Sequence, residues 1–183
     1  MLRLPMRSPI PPIEIRLGTT LATNALLERR FPEPVLVVTR GFPDLLEIGF
    51  QNRPGLFELR IPEPEPLTRR VIEAEERLDA QGEIVQPLAE APLCESLRSA
   101  KEAGYESVAI SFLHAYLNPA HEERAAELAR ELGFSYIHLS HEAAALPRYV
   151  SRTETIALDA ALAPVIADYV RRLAAQAPEA RFR

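Results

Sequence analysis

Two short runs of apolar residues mark the segments expected to be most deeply buried. Residues 35–38 and 108–113 are almost continuously hydrophobic and lack the alternation of a strand with one solvated face. Such runs are typical of strands covered on both sides in a largely parallel sheet. The pattern therefore predicts an α/β domain with helices between the strands.

The spacing of apolar residues predicts two helices in the first part of the chain. After Asn24 a first helix presents Leu26 and Leu27, and a second is predicted over residues 92–103, ending at Gly104. The first helix precedes the strand at residues 35–38, and the second lies between the two predicted strands.

Two further helices are predicted in the second half of the chain. One covers residues 119–132, with Asn118 as its candidate cap and Glu122 in its acidic first turn. The other covers residues 153–173 and carries an apolar face. Pro164 should kink this last helix or divide it into two, because proline lacks an N–H donor.

An antiparallel insertion is predicted between residues 70 and 88. Apolar and charged residues alternate over residues 72–78, a turn signal occupies residues 79–82, and residues 83–86 return as a second strand. The preceding residues 61–66 have proline at every second position and should run as an extended connector.

Composition fits a single globular domain with a short arm and a tail. The chain has 183 residues, of which 47% are hydrophobic, and a net charge of −5. We expect a disordered arm over residues 1–12, the domain over 13–175 and a tail over 176–183. No basic run or aromatic platform favours nucleic acid, and no apolar stretch has the length of a membrane span, so a cytoplasmic protein without membrane contact is expected.

A hydroxyl-rich segment precedes the first helix and is the first candidate site. Its members are Thr19, Thr20, Thr23 and Asn24. Such residues cap helices in many proteins, and the amide donors they leave free can also bind an anionic or carbonyl-bearing ligand. Capping and ligand binding both stay open at this point.

Further candidates follow the strands or carry charge suited to a substrate carboxylate. Arg40 and Asp44 follow the first strand, where they could bind a ligand. A turn and a helix cap would explain these two residues as well as ligand binding does. A second group of residues could bind a substrate carboxylate through charge-assisted hydrogen bonds. The arginines in this group could equally be ordinary surface residues. That group consists of Gln51, Arg53, Arg148 and Arg152.

Four histidines raise the question of a metal site. His114, His121, His138 and His141 show none of the spacings that place two ligands on one element, so no metal site is predicted. His141 with Glu142 is the pair of interest, because it stands at the end of a predicted strand, where α/β sheets present ligand-binding residues.

Several motifs together resemble the N-terminal region of the hydantoinase A and 5-oxoprolinase family, over residues 13–173. They are Gly18-Thr19-Thr20, Ala22-Thr23-Asn24-Ala25, Gln51-x-Arg53-Pro54, Leu113-His114-x-Tyr116-x-Asn118-Pro119-x-His121-Glu122, Ser140-His141-Glu142 and Arg148-Tyr149-x-x-Arg152-Thr153. The resemblance implies a partial actin-like, sugar-kinase-like ATPase half-domain with a mostly parallel sheet, flanking helices and a β-hairpin insertion.

The resemblance also implies an activity. Members of the family use ATP and Mg to open a cyclic amide such as 5-oxoproline or a hydantoin, and related subunits serve ketone carboxylases. The family's Asp-x-Gly-Gly-Thr phosphate loop has no counterpart in these 183 residues. We therefore expect a fragment or subunit that is inactive alone, does not bind ATP productively and works with a second subunit or the missing enzyme portion. A noncatalytic binding or assembly module and a truncated remnant are the alternatives.

The absence of that loop leads to an expectation about the sheet. An actin-like half-domain places the phosphate-loop hairpin at the centre of its strands. Without it, the strand in residues 35–39 or the strand in residues 108–113 should have an unpaired edge, unless the arm or a second copy covers it. An unpaired edge would favour self-association.

Overall fold

The computed structural model describes residues 14–15, 18–50, 65–144, 146–176 and 181–182. The chain divides into a larger unit, residues 31–164, and a smaller unit drawn from residues 1–30 and 165–183. The strands are β1 (Glu14–Ile15), β2 (Val35–Thr39), β3 (Val71–Ala74), β4 (Arg77–Leu78), β5 (Ile84–Gln86), β6 (Ser107–Ser111), β7 (Tyr136–Leu139) and β8 (Arg181–Phe182). The helices are α1 (Leu21–Leu27), α2 (Leu45–Ile48), α3 (Glu90–Glu102), α4 (Ala120–Glu131), α5 (Ser140–Ala143) and α6 (Tyr149–Gln176).

A four-stranded parallel sheet forms the centre of the larger unit, with strand order β3-β2-β6-β7. In its register, Val37 lies beside Ile72 on one side and Ile110 on the other, and Ile110 lies beside Leu139. Every residue of β2 and β6 is buried. The parallel sheet predicted from the two apolar runs is therefore confirmed.

Hydrophobic cores cover both faces of this sheet. Val37 and Ile110 point to a core shared with α3 and α4, where Leu97 and Ala125 are fully buried. On the opposite face, the core consists of Leu36, Val38, Ala109, Ile156 and Ala160, the last two from α6. Burial on both sides explains why the two central strands lack polar alternation.

The predicted hairpin exists, but it is shorter than expected. Strands β4 and β5 pair antiparallel, and the carboxylate of Asp79 closes their turn by accepting hydrogen bonds from two backbone N–H groups. The assignment of residues 72–74 to the hairpin was wrong, because β3 pairs parallel with β2 in the main sheet. An edge strand with one solvated side shows the same alternation as a hairpin strand.

The expectation of an unpaired edge on β2 or β6 was also wrong. Both strands have a neighbour on each side, since β3 covers β2 and β7 covers β6. Among the described residues, the outer strands of this sheet are β3 and β7. Self-association through an open edge of β2 or β6 is therefore not expected.

Helices α3 and α4 lie where the periodicity predicted them, and the Asn118 side chain accepts a hydrogen bond from the first N–H group of α4 (3.1 Å). Helix α6 is continuous through Pro164, so the division into two helices was wrong, whereas the kink expected as the other outcome stays a prediction. A long helix tolerates the loss of one internal hydrogen bond when turns continue on both sides. In its second half, Ile166 and Val170 are 43% and 45% exposed.

The smaller unit contains helix α1 and the short parallel pair of β1 with β8. Ala25 is buried in α1, whereas Leu27, expected on its apolar face, is 76% exposed. No helix within the described part of the chain has the length and apolar character needed to cross a bilayer.

Candidate functional site

Polar side chains gather where the parallel strands of the larger unit end. Thr39 is the last residue of β2, Ser111 is the last of β6, and Ser140 directly follows β7; all three are fully buried. The carboxyl ends of parallel strands share one edge of a sheet, where α/β proteins bind their ligands. We call this group and the side chains bonded to it the carboxyl-edge cluster.

Glu122, in the first turn of α4, is one centre of this cluster. One carboxylate oxygen accepts hydrogen bonds from the Phe112 N–H (2.8 Å) and from the Ser140 hydroxyl. The other accepts two from His141, through its backbone N–H (3.1 Å) and its Nδ1 (2.7 Å). The side chain is fully buried. These hydrogen bonds join the ends of β6 and β7 to α4.

His141 is held by Glu122 but is not enclosed. Its Nδ1 is engaged by the carboxylate, its side chain is 16% exposed, and its Nε2 bonds to no described residue. The hydrogen bond to Glu122 raises the pKa of the His141 imidazole, and burial opposes this rise. An imidazole fixed through Nδ1 with a free Nε2 is the arrangement of a general base or acid.

A second glutamate–histidine pair lies deeper in the same cluster. Glu76 contacts His121 Nδ1 through one oxygen (2.8 Å) and accepts the Thr39 hydroxyl through the other. Thr39 in turn accepts the Leu113 N–H (2.9 Å). The side chains of Glu76 and His121 are 0% and 8% exposed. This pair ties β2 to α4 and to the loop after β6.

Tyr149 and Arg152, on the first turns of α6, complete the cluster. The Tyr149 hydroxyl donates to the Ser111 carbonyl (2.9 Å) and accepts the Thr39 N–H (3.3 Å), and burial raises the pKa of its phenol. Arg152 is fully buried, and burial lowers the pKa of its guanidinium. Its two terminal nitrogens donate to the carbonyls of Phe112 (2.5 Å) and Leu146 (2.8 Å).

The structure brings together only some of the residues predicted for the site. His141 and Arg152 belong to the cluster, although the Arg152 nitrogens face main-chain carbonyls. Glu142 is exposed beside His141, and Arg148 is exposed before α6. Gln51 and Arg53 lie outside the described residues.

Arg40 and Asp44 follow β2 at the surface of the larger unit. Arg40 forms an ion pair with Glu75 (2.5 Å), and the Glu73 carboxylate accepts the Gly41 N–H (2.7 Å). Asp44 precedes α2 without a capping hydrogen bond from its side chain. Surface hydrogen bonding accounts for Arg40 without a ligand.

The hydroxyl-rich segment begins α1 in the smaller unit, and all four of its predicted site residues are exposed. Thr19 Oγ1 accepts the Leu21 N–H (3.1 Å), and Asn24 Nδ2 lies 3.5 Å from Thr20 Oγ1. These bonds satisfy one amide of the helix start. Ligand binding by this segment stays a prediction.

Several members of the cluster were missed from the sequence. Thr39 and Ser111 gave a usable signal, because a hydroxyl that closes a buried apolar strand needs a partner. Glu122 was expected in an acidic helix turn, where a solvated position is usual, but it is buried. Glu76 gave no signal among the neighbouring charged residues. Within the described ranges, no group of three or more potential ligands is placed to hold a metal ion.

Comparisons with known proteins agree on the family that this chain matches. Residues 9–133 match the family described as "Hydantoinase/oxoprolinase N-terminal region". The chain is 39% identical to 5-oxoprolinase PfmaA of Pestalotiopsis fici, over 85% of this chain and 14% of that protein. The chain therefore spans about one seventh of that relative's length.

Two solved structures share the fold. The ATP-dependent caprolactamase from Pseudomonas jessenii superposes with a TM-score of 0.79 at 31% identity, over 90% of this chain and 26% of that chain. Acetone carboxylase in its nucleotide-free form gives a TM-score of 0.71 at 26% identity, over 81% of this chain and 23% of that chain. These likenesses confirm the actin-like α/β half-domain.

Proposed function

Because this chain belongs to the hydantoinase/oxoprolinase N-terminal region family, we propose that it forms part of an ATP-dependent enzyme that opens a cyclic amide. Relatives with related chemistry in their names include 5-oxoprolinases and a caprolactamase. The substrate proposed is 5-oxoproline or a hydantoin. The carboxyl-edge cluster supplies one wall of the site where the ring opens.

The chemistry needs an activated carbonyl and a base. A lactam carbonyl is a poor electrophile, and transfer of the γ-phosphoryl group of ATP to its oxygen makes attack by water feasible. Water then adds to the carbonyl carbon and loses a proton, the C–N bond breaks, and the ring nitrogen leaves as an amine. The carboxyl group is left as an acyl phosphate, and a second water hydrolyses it to the carboxylate and phosphate; ADP is the remaining product.

The contact between Glu122 and His141 is the observation that carries this proposal. When His141 donates its Nδ1 hydrogen to the buried carboxylate, Nε2 keeps its lone pair and bonds to no described residue. His141 accepts the proton of the attacking water at that atom. Glu122 fixes the tautomer and the ring orientation, and it stabilises the imidazolium that forms.

A phosphate cradle would come from another part of the enzyme. These 183 residues contain no two adjacent glycines, which the family's phosphate loop requires. We therefore place the binding of ATP and Mg on residues beyond this chain or on a second subunit. The isolated chain binds the cyclic amide weakly and does not hydrolyse it, because phosphoryl transfer depends on positioning and charge stabilisation.

Two measurements on the purified chain test the proposal. The first follows the ring protons of His141 by NMR during titration with 5-oxoproline and with a hydantoin, and we expect a saturable shift. The second is a phosphate-release assay with Mg-ATP, with and without the complementary portion of the enzyme. We expect turnover only in the reconstituted sample, and its loss with the variant His141→Gln.

The outcomes separate the alternatives. ATP-dependent turnover by the chain alone would contradict the division of labour proposed here. Binding combined with full activity of the reconstituted His141→Gln enzyme would favour a noncatalytic module. No shift of His141 with either cyclic amide would remove the support for a substrate site at this edge.

A further inference from the structure

His114 has a backbone conformation that is uncommon for residues other than glycine. It lies in the loop between β6 and α4 with φ of 63°. A residue with a Cβ pays for this left-handed conformation, and histidine adopts it less readily than glycine or asparagine. Such conformations persist where the surrounding structure fixes them, and they cluster at functional sites.

The loop around His114 is fixed by many contacts of its backbone. The Leu113 N–H donates to Thr39 Oγ1 (2.9 Å), and the Phe112 N–H donates to Glu122 (2.8 Å). The His114 carbonyl accepts the Leu117 N–H (2.9 Å), and the Asn118 side chain donates to the Gly82 carbonyl (2.9 Å). The residues that hold the loop are therefore those of the carboxyl-edge cluster and the hairpin.

In contrast, the His114 imidazole has no hydrogen-bond partner among the described residues. Its Nδ1 is buried and unpaired, and its ring contacts Tyr116, with 6.0 Å between centroids. An unpaired buried N–H is rarer than an unpaired buried acceptor, so the hydrogen belongs on Nε2. The residue as a whole is partly exposed, and Nε2 is the ring nitrogen left for a ligand.

The topology places His114 and His141 at the same edge of the sheet. Ile110 of β6 pairs with Leu139 of β7, so His114 follows the end of one strand and His141 follows the end of its parallel neighbour. We infer that His114 is a substrate-binding residue whose Nε2–H donates to a carbonyl oxygen of the cyclic amide, beside the base His141. This inference rests on the function proposed above.

A substitution that keeps the backbone conformation and removes the imidazole tests the inference. Asparagine tolerates the left-handed region, so His114→Asn should unfold at the same temperature as the wild type or higher. Its affinity for 5-oxoproline, measured by calorimetric titration of the full chain, should fall about five- to tenfold, the value of one hydrogen bond.

Arg29 provides the matched control, because it is the other non-glycine residue with positive φ (53°) among those described. Arg29→Asn should leave the affinity unchanged. NMR of the wild type gives a readout that needs no variant, since the His114 ring resonances should shift on titration with 5-oxoproline.

Each result has one interpretation. Unchanged affinity of a folded His114→Asn protein would overturn the role of His114 and leave the proposed function intact. If that variant does not fold, unshifted His114 resonances in a wild type that binds would overturn it instead. A wild type that binds neither 5-oxoproline nor a hydantoin would overturn both proposals.

Discussion

Two glutamate–histidine pairs lie in the same cluster, and they differ in what surrounds them. His121 is 8% exposed and bonded to Glu76, whereas His141 is 16% exposed and bonded to Glu122. His121 and Glu122 are neighbours in the first turn of α4, so one helix start serves both pairs.

The two carboxylates also differ in their hydrogen bonds. Glu122 accepts from Phe112, Ser140 and twice from His141. Glu76 accepts from Thr39 and His121. The same pair of residue types therefore occurs once with a buried histidine and once with a partly exposed one. Burial of the histidine separates the two pairs, and residue identity does not.

The largest effect on stability is expected for Glu122→Gln. The NH₂ group of the glutamine would face N–H and O–H donors whose hydrogen bonds the carboxylate accepts. The buried network would lose its negative charge, and some of these donors would be left without a partner. We expect a loss of about 3 kcal/mol in the free energy of unfolding, measured by urea denaturation. Exposed Glu123 is the matched control, and Glu123→Gln should change stability little. Equal losses for the two variants would contradict the role assigned to Glu122.

A smaller loss is expected for Glu76→Gln, because this carboxylate accepts fewer hydrogen bonds. We expect about 2 kcal/mol in the same urea experiment. Glu75, which pairs with Arg40 at the surface, is the control, and Glu75→Gln should have a minor effect. A loss greater than that of Glu122→Gln would reverse the ranking of the two pairs.

The smallest effect concerns the pH dependence of stability. Glu122 raises the pKa of His141 in the folded protein above its unfolded value, so the pair stabilises fully below the unfolded pKa, about 6.5. This contribution is lost as the pH rises through the folded pKa. The unfolding free energy of the wild type should therefore decline more steeply than that of His141→Gln as the pH rises above 6.5.

Comparing the wild type with His141→Gln isolates the contribution of His141 to the pH dependence of stability. Burial lowers the pKa of His138, so the contribution of His138 has the opposite sign and is lost as the pH falls. His138 is present in both proteins, and its effect cancels. Parallel stability curves for the two proteins would contradict the raised pKa of His141.

Local patterns were sufficient to predict the centre of the fold. Strands β2 and β6 are buried on both faces and read as continuous apolar runs, and α4 carries its own cap and apolar stripe. Strand β3 was misassigned because alternation does not tell an edge strand of the main sheet from a hairpin strand. The partner of a strand is a long-range property that a short window does not contain.

The candidate site could be predicted only where a residue type stood out at a strand end, as with His141. Glu76 and Glu122 have the same local sequence character as the exposed glutamates beside them. Their burial depends on hydroxyl and N–H donors that arrive from β2, β6 and β7. Charged residues of this kind are identified by their partners, which only the tertiary structure provides.

The most direct test of the account is a calorimetric titration of 5-oxoproline into the wild type, His141→Gln and His121→Gln, at a temperature where all three are folded. We expect His141→Gln to lose about fivefold or more in affinity. We expect His121→Gln to keep the affinity and to lose more in melting temperature than His141→Gln. Retained affinity in His141→Gln, with loss in His121→Gln, would contradict the assignment of His141 to the ligand and of His121 to the interior.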